Sequence, residues 1–291
     1  MICTLGDLLL DVVVRLGAPL ARGGDTPATT RLSAGGQAAN VAAWVAHLGG
    51  QARFMGVRSS DAVGTLVAND LGARGVELLG PRFEHGTGTV VALVDDTFER
   101  TMATDRGIAT ELRFAHIDPA WFAECDRLHL SGYSLMRSPI DTAALRAARE
   151  ARLVGARVSV DLSSWSAIRD YGPAKFRDRL TVISPDVVFA NEQELEVLGD
   201  EPTCRVLVTK KGAEGCIVCW PGGEVRLPAQ PADVVDTTGA GDAFAAGFLL
   251  GDSAEDAARR GLAAAAACVA QVGAMPGYDG TVASLMEEPG V

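Results

Sequence analysis

The chain has 291 residues, 48% of them hydrophobic, and a formal net charge of -11. That composition supports one large core, or a core with a small appendage. With no basic block in the sequence, nucleic acid is not expected as a partner.

The opening segment, MICTLGDLLLDVVV, has no positive region before its apolar run, and Asp7 and Asp11 interrupt it. It reads as a first strand rather than a signal peptide, and a cytoplasmic location is expected. The alanine-rich stretch 262–272 is too short for a membrane span and reads as a buried helix, so no membrane association is expected. Short apolar runs predict strands at 2–10, 52–57, 88–94, 127–131, 156–161, 187–190, 205–209 and 215–220. Helical spacing predicts helices at 37–48, 61–73, 141–153, 173–179, 192–198, 242–250 and 254–271. The alternation, with near-continuous apolar strands such as VVFA and RVLVT, predicts a parallel sheet covered by helices.

Two segments depart from this pattern. Residues 12–32 are irregular and polar, and 86–105 form two β-prone pieces around Asp95-Asp96, a hairpin signal. Such a hairpin either projects as a small lid joined by 12–32 or lies at a solvated edge. Cys216 and Cys219 form a lone CxxC in a strand-like context, without the second ligand pair that a zinc site needs. Buried thiols are the expected reading.

The candidate chemistry follows the same order. Asp11 ends the first apolar run, where ligands gather in α/β sheets, and is either a sugar-hydroxyl acceptor or a turn cap. Gly35 and Gly36 precede a helix carrying Asn40, which either ties backbone or meets a polyhydroxyl ligand. Arg106, in the Asp-Arg-Gly that closes the hairpin, is either a surface charge or a contact to an anionic or hydroxyl-rich substrate. Asn191 and Glu194 have capping-box spacing and alternatively sit near Mg2+-bound phosphates. Thr209 and Gly212 form a strand end and turn that could face a nucleotide, while Lys210 and Lys211 read equally as solvated turn charges.

DTTGAGDAF, residues 236–244, carries the sharpest question. Glycines at a helix start favour a phosphate or developing negative charge. The stretch is neither a Walker A loop, lacking the Lys-Ser/Thr, nor a dinucleotide fingerprint. An aspartate beside an anion hole makes sense as a base that deprotonates a hydroxyl attacking a phosphoryl group. The alternative is a plain helix cap by Asp236 or Thr238.

Taken together, DTTGAGDAFAAGF, SAGGQAANVAAWVAHLG and NEQE, in this order, resemble the ribokinase-like carbohydrate kinases. The resemblance runs from GDLLLD to VGAMPG at 273–277. It implies a three-layer α/β/α core of residues 1–11, 33–85 and 107–291, with a small β lid of 12–32 and 86–106. It implies ATP-dependent phosphorylation of a hydroxyl on a sugar or sugar derivative. Asp242 matches the catalytic base, and Gly239, Ala240 and Gly241 match the anion hole. Asn191 and Glu194 match residues that place Mg2+ and phosphates, and Thr209 and Gly212 match the nucleotide-side loop. Asp11, Gly35, Gly36 and Asn40 match the sugar-binding positions. Asp236 and Thr238 match a monovalent-cation loop for K+, completed by the segment Cys268–Gly277 with Gly273. A homodimer through the lid is a further implication.

SVDLSSW departs from the family's Asp-x-Asn-x-Arg at Ser163 and Trp165, which argues against fructose and sugar acids. TDRGIA likewise departs from the Gly-Ala-Asn of typical ribokinases. Phe98 is the one aromatic of the hairpin, which argues against a nucleoside. Nucleoside and sugar-acid kinases stay open as alternatives, as does a non-catalytic sugar or nucleotide sensor. A dinucleotide oxidoreductase is disfavoured, because no GxGxxG follows the first strand.

Overall fold

Short, almost wholly apolar strands build the central sheet, because both of its faces are covered. The computed structural model describes residues 1–95 and 100–277. The first half contains β1 (Ile2–Leu5), β2 (Leu9–Leu16), β3 (Ala28–Gly35), α1 (Gln37–His47), β4 (Ala52–Met55), β5 (Arg58–Ser59), α2 (Ala62–Ala73), β6 (Glu77–Leu79), β7 (Arg82–Phe83), β8 (Thr87–Val94) and β9 (Arg100–Gly107). The second contains β10 (Arg127–Ser131), α3 (Ile140–Leu153), β11 (Arg157–Asp161), α4 (Trp165–Tyr171), α5 (Pro173–Ile183), β12 (Val187–Asn191), α6 (Glu192–Leu198), β13 (Val206–Lys210), β14 (Cys216–Trp220), β15 (Gly223–Leu227), α7 (Ala240–Leu249) and α8 (Ala254–Val269).

The nine-stranded sheet runs β15-β14-β13-β12-β11-β10-β1-β4-β6. It is parallel from β6 to β13, and β14 and β15 add an antiparallel edge. One apolar cluster joins the sheet to α1, α2, α7 and α8, and a second joins the opposite face to α3, α4, α5 and α6. The result is the three-layer α/β fold expected from the sequence. The strand order reverses at β1, which has β4 on one side and β10 on the other. In such sheets the crevice beyond the strand ends at the reversal is where ligands bind.

The predicted strand 2–10 is in fact two strands. β1 stops at Leu5 and the chain leaves the main sheet through Gly6-Asp7-Leu8. The apolar run hid this break, because Leu8 and Leu9 are buried on either side of the crossing. Residues 12–32, expected to be irregular, are so only over 17–27; their two ends belong to β2 and β3, paired antiparallel from Leu9 opposite Gly35 to Leu16 opposite Ala28. β3 begins with exposed Ala28, Thr29, Thr30 and Arg31, so it lacks the apolar alternation that marks a strand. With β8 and β9 these strands form a four-stranded sheet, ordered β3-β2-β8-β9. Asp96 and Phe98 of the predicted hairpin turn lie outside the described residues. The strands β5, β6, β7 and β15 and the short helix α4 carried too little periodicity to be predicted.

Cys216 and Cys219 both lie in β14, where an odd spacing places them on opposite faces. They cannot act as a chelating or redox pair, and all six cysteines are free thiols. Among the described residues no helix is long and apolar enough to cross a membrane.

Asp61 fastens the small sheet to the core. It caps α2 by accepting from the Gly64 amide at 2.6 Å, and it also accepts from the Thr87 hydroxyl at 2.6 Å and the Gly86 amide at 3.0 Å. Despite a desolvation cost, the bonds from Thr87 and Gly64 hold its carboxyl well below the usual carboxylate range. Asp61→Ala is expected to destabilise the protein by about 2 kcal/mol, through loss of the cap and of charge-assisted bonds. Chemical denaturation at neutral pH measures this, and a loss within error of zero would show that the fastening carries no energy.

Candidate active site

The start of α7 is shaped by a close approach. Gly239, the N-cap, has φ of 76°, and a Cβ there would overlap Ala274. Only glycine allows both the left-handed turn and this contact. Of the amides expected to form an anion hole, that of Ala240 is drawn 3.3 Å toward its own turn, to the Thr237 carbonyl. The amides of Gly241 and Asp242, in the first helical turn, have no intrahelical acceptor and are the open donors.

Asp242 is half-buried beside them. Its carboxylate accepts from the Asn40 amide nitrogen at 2.8 Å, across the packing of α1 against α7. Burial pushes its pKa up to about 7; the Asn40 bond opposes the rise and the nearby Asp161 charge adds to it. The site therefore holds a carboxyl with the proton affinity a general base needs near neutral pH.

A charged network that the sequence did not reveal supports this carboxyl. Lys210, which read equally as a solvated turn charge, makes a 2.5 Å ion pair with the buried Asp161. Burial works against its charge, but Asp161, Glu194 and Asp242 together hold the ammonium above its ordinary value. Lys211 is the solvent-side charge, paired with Glu192 and Glu214. Ser163 donates to Gln37 at 2.5 Å and accepts from the Gly132 amide at 2.9 Å. Gln37 lies close enough to Asp242 to lower its pKa. Spacing alone could not indicate these partners, because they come from β11, β13 and α1.

On the side of the small sheet, Asp11 lies on β2 rather than at the end of the first core strand. Its carboxylate packs against Gly35, where a Cβ would overlap it, and burial raises its pKa to about 6. Gly36 caps α1 with φ of 102°, against the Asp7 carbonyl. Asp7 holds the place after β1 that the sequence reading gave to Asp11; it is buried and ion-paired to Arg106. Arg106 also lies 4.1 Å over the Tyr133 ring. Trp165 is exposed and carries Arg169 on its ring.

Opposite these residues, across the start of α7, is a cleft of about 630 Å³ lined by Gly212, Gly215, Ala240, Gly241, Phe244 and Leu262. Thr209 lies within β13, outside this lining. Asn191 and Glu194 form a complete capping box, with both bonds at 2.8 Å. Glu194 is buried and its pKa rises to about 6, chiefly through desolvation, with Lys210 opposing. One of its oxygens is spent on the Asn191 amide, and Lys210 is the nearest counter-charge. Asp236 ties two loops together, accepting from the Thr238 hydroxyl at 2.6 Å and the Gly273 amide at 3.0 Å. The Cys268 thiol donates to the Thr238 carbonyl at 3.3 Å, and the Gly277 amide donates to Gln271 at 2.9 Å.

The chain is similar over most of its length to known proteins. Residues 1–279 match the profile described as pfkB family carbohydrate kinase. An ATP-dependent ribose-1-phosphate kinase from Halopiger xanaduensis is 34% identical over 278 residues, covering 92% of this chain and 90% of that protein. A fructokinase from Escherichia coli is 30% identical, covering 75% of this chain and 76% of its own. The solved structure of adenosine kinase from Sinorhizobium meliloti superposes with a TM-score of 0.84 at 28% identity, covering 94% of this chain and 95% of its own.

The raised pKa of Asp242 has a consequence for stability. An acid whose folded pKa lies above its unfolded value keeps its proton longer in the folded state, so its ionisation destabilises the fold as pH rises. Between about pH 4 and pH 7, Asp242→Asn is expected to gain in melting temperature relative to the unmodified protein, with a plateau above. Glu194 and Asp11 titrate in both proteins, so most of their own contribution cancels in the difference. A difference independent of pH in thermal melts would contradict the assignment.

Proposed function

This chain belongs to the pfkB family of carbohydrate kinases, and we propose that it transfers the γ-phosphoryl group of ATP to a hydroxyl of a small sugar derivative, with Asp242 as the base. The observation that carries this reading is the position of Asp242. It stands at the first turn of α7, beside the open amides of Gly241 and its own residue, and Asn40 fixes its orientation at 2.8 Å.

The sugar binds at the crevice where β1 and β10 diverge, between the core and the lid formed by 12–32 and 86–106. Asp11 suits two hydroxyls: its carboxylate is half-buried and has no hydrogen-bond partner among the described residues. Gly35 and Gly36 keep the approach open, since a side chain at Gly35 would displace that carboxylate. ATP occupies the cleft of Gly212 and Phe244, with its terminal phosphate toward the turn of Gly239, Ala240 and Gly241, where the amides of Gly241 and Asp242 are the open donors. Thr209 supports this cleft from β13 rather than lining it. Asp242 withdraws the hydroxyl proton as the oxygen attacks phosphorus, the bond to the β-phosphate oxygen breaks, and ADP leaves. Lys210, close above Gly241, offsets charge on the transferred group.

Mg2+ bound to ATP neutralises its phosphates; Asn191 and Glu194, oxygen donors at the end of β12, are the residues that would hold it through water. The Asp236 loop fits a K+ site built from carbonyls of 236–238 and 268–277, because Asp236 holds the two strips of backbone together. Relatives named for ribose 1-phosphate, fructose and adenosine leave the sugar open.

An ADP-release assay across sugars, sugar phosphates, sugar acids and nucleosides tests the reading. Asp242→Asn is expected to lower kcat by about 10²–10⁴ while the KM for ATP moves only a few-fold. Turnover close to that of the unmodified protein would remove Asp242 from its role. ATP and sugar binding without ADP release in any arm would make the protein a sensor.

A further inference from the structure

The cleft proposed for the donor nucleotide has a volume of about 630 Å³ and reaches the Asp242 turn at Ala240 and Gly241. Two of its polar side chains, Lys210 and Thr237, belong to that phosphate end. A Cβ on Gly241 would stand 3.2 Å from the Lys210 ammonium, and the Thr237 carbonyl accepts from the Ala240 amide. Elsewhere the lining is small and apolar, with Leu262, Ala265 and Val269 from α8 and Ala213, Ala229 and Ala232 from the loops. Such a lining takes the flat face of a nucleobase through burial and contact alone, which carries no preference for one base edge.

Among the described residues, Gln230 is the one further polar side chain that lines the cleft, and no carboxylate lines it. Gln230 lies in 228–234, a segment without regular structure that follows β15. This segment is held against the turn between β13 and β14: a Cβ at Gly215 would overlap the Leu227 carbonyl and the Ala229 amide. The Gln230 carboxamide is exposed and has no hydrogen-bond partner among the described residues. A carboxamide both donates and accepts, and a half-turn exchanges its two ends. Adenine presents an amino donor beside the acceptor N1, whereas guanine presents the acceptor O6 beside the donor N1–H. One carboxamide serves either edge. The main chain beside Gln230 offers N–H and C=O groups in turn, and so imposes no fixed sign either.

Resting on the kinase reading above, we propose that Gln230 reads the base of the donor nucleotide and that, because its carboxamide serves either purine edge, GTP replaces ATP as phosphoryl donor. With GTP the acceptor hydroxyl loses its proton to Asp242 and its oxygen bonds to the γ-phosphorus. The bond from that phosphorus to the oxygen bridging it to the β-phosphorus breaks, and GDP leaves with the electron pair. A carboxylate in place of Gln230 would choose between the bases. It only accepts, so it pairs with the N1–H and amino donors of guanine and repels N1 of adenine. A pyrimidine ring covers less of the apolar lining than either purine and binds more weakly.

The test measures release of the nucleoside diphosphate from ATP, GTP, CTP and UTP, with the acceptor that the sugar screen selects. GTP is expected to reach a kcat/KM within about tenfold of ATP, with CTP and UTP below both. Gln230 is exposed in a segment without regular structure, so its variants should fold. Gln230→Ala is expected to raise KM for ATP and for GTP alike by about fivefold, with kcat within about twofold. Gln230→Glu is expected to raise the ratio of GTP to ATP in kcat/KM by about tenfold or more, a change of preference that a merely structural role would not produce. A second measurement needs no turnover: calorimetry with Mg2+ and non-hydrolysable analogues of ATP and GTP should give the same preferences as dissociation constants. A preference of the unmodified protein for ATP beyond about 100-fold, or a ratio that Gln230→Glu leaves unmoved, overturns the proposal and leaves the kinase reading standing. Binding of both analogues that Gln230→Glu shifts toward guanine, without release of a diphosphate with any acceptor, supports the assignment of Gln230 while the kinase reading fails.

Discussion

The reaction centre depends on how closely α1 and α7 approach. α1 offers Ala38, Ala39, Ala42 and Ala43 to the interior, and α7 offers Ala243, Ala245 and Ala246, all fully buried. Small side chains let the two backbones come near enough for Asn40 on one helix to reach Asp242 on the other at 2.8 Å. A bond of that length tolerates a displacement of only a few tenths of an ångström. Gly247 repeats the device on the far side, where a Cβ would meet the backbone of Arg260 and Gly261 on α8. The alanine richness that looks like compositional bias is therefore the packing condition for the contact between Asn40 and Asp242.

Electrostatics builds on this packing. One ammonium, Lys210, stands among three carboxylates, Asp161, Glu194 and Asp242. The ammonium pairs directly with Asp161, so the other two keep part of their repulsion as well as the cost of desolvation. That surplus negative charge helps give Asp242 a proton affinity near neutrality. The small sheet is joined to this core by the apolar packing of Ala34 and Leu10, and also by Asp61 and by the pair of Asp7 with Arg106.

Most of the main sheet was legible because strands buried on both faces must be apolar throughout, and the helices between them must show a period near 3.6. The small sheet was legible only in part. β8 stood out through its apolar residues, while β3 is exposed and polar and was concealed. The break after β1 was concealed for the opposite reason: the chain crosses between sheets inside a buried environment, so leucines continue through the turn. The break puts Asp7, not Asp11, at the end of the first core strand.

By itself the sequence determined the family, the carboxylate of Asp242 at a helix start, the glycines that must precede it and the capping box at Asn191 and Glu194. Each of these is a local requirement, expressed in residues that are close together in the chain: a left-handed turn, a free helix start, a reciprocal cap. The tertiary structure alone decided that Lys210 pairs with Asp161, that Gln37 and Ser163 stand behind the base, that the Ala240 amide turns toward Thr237, and that Arg137 joins Arg106 in one cavity. These are relations between residues far apart in sequence, set by strand order and helix packing. A one-dimensional pattern carries the charge of Arg106 and of Arg137, but not the fact that the two face each other.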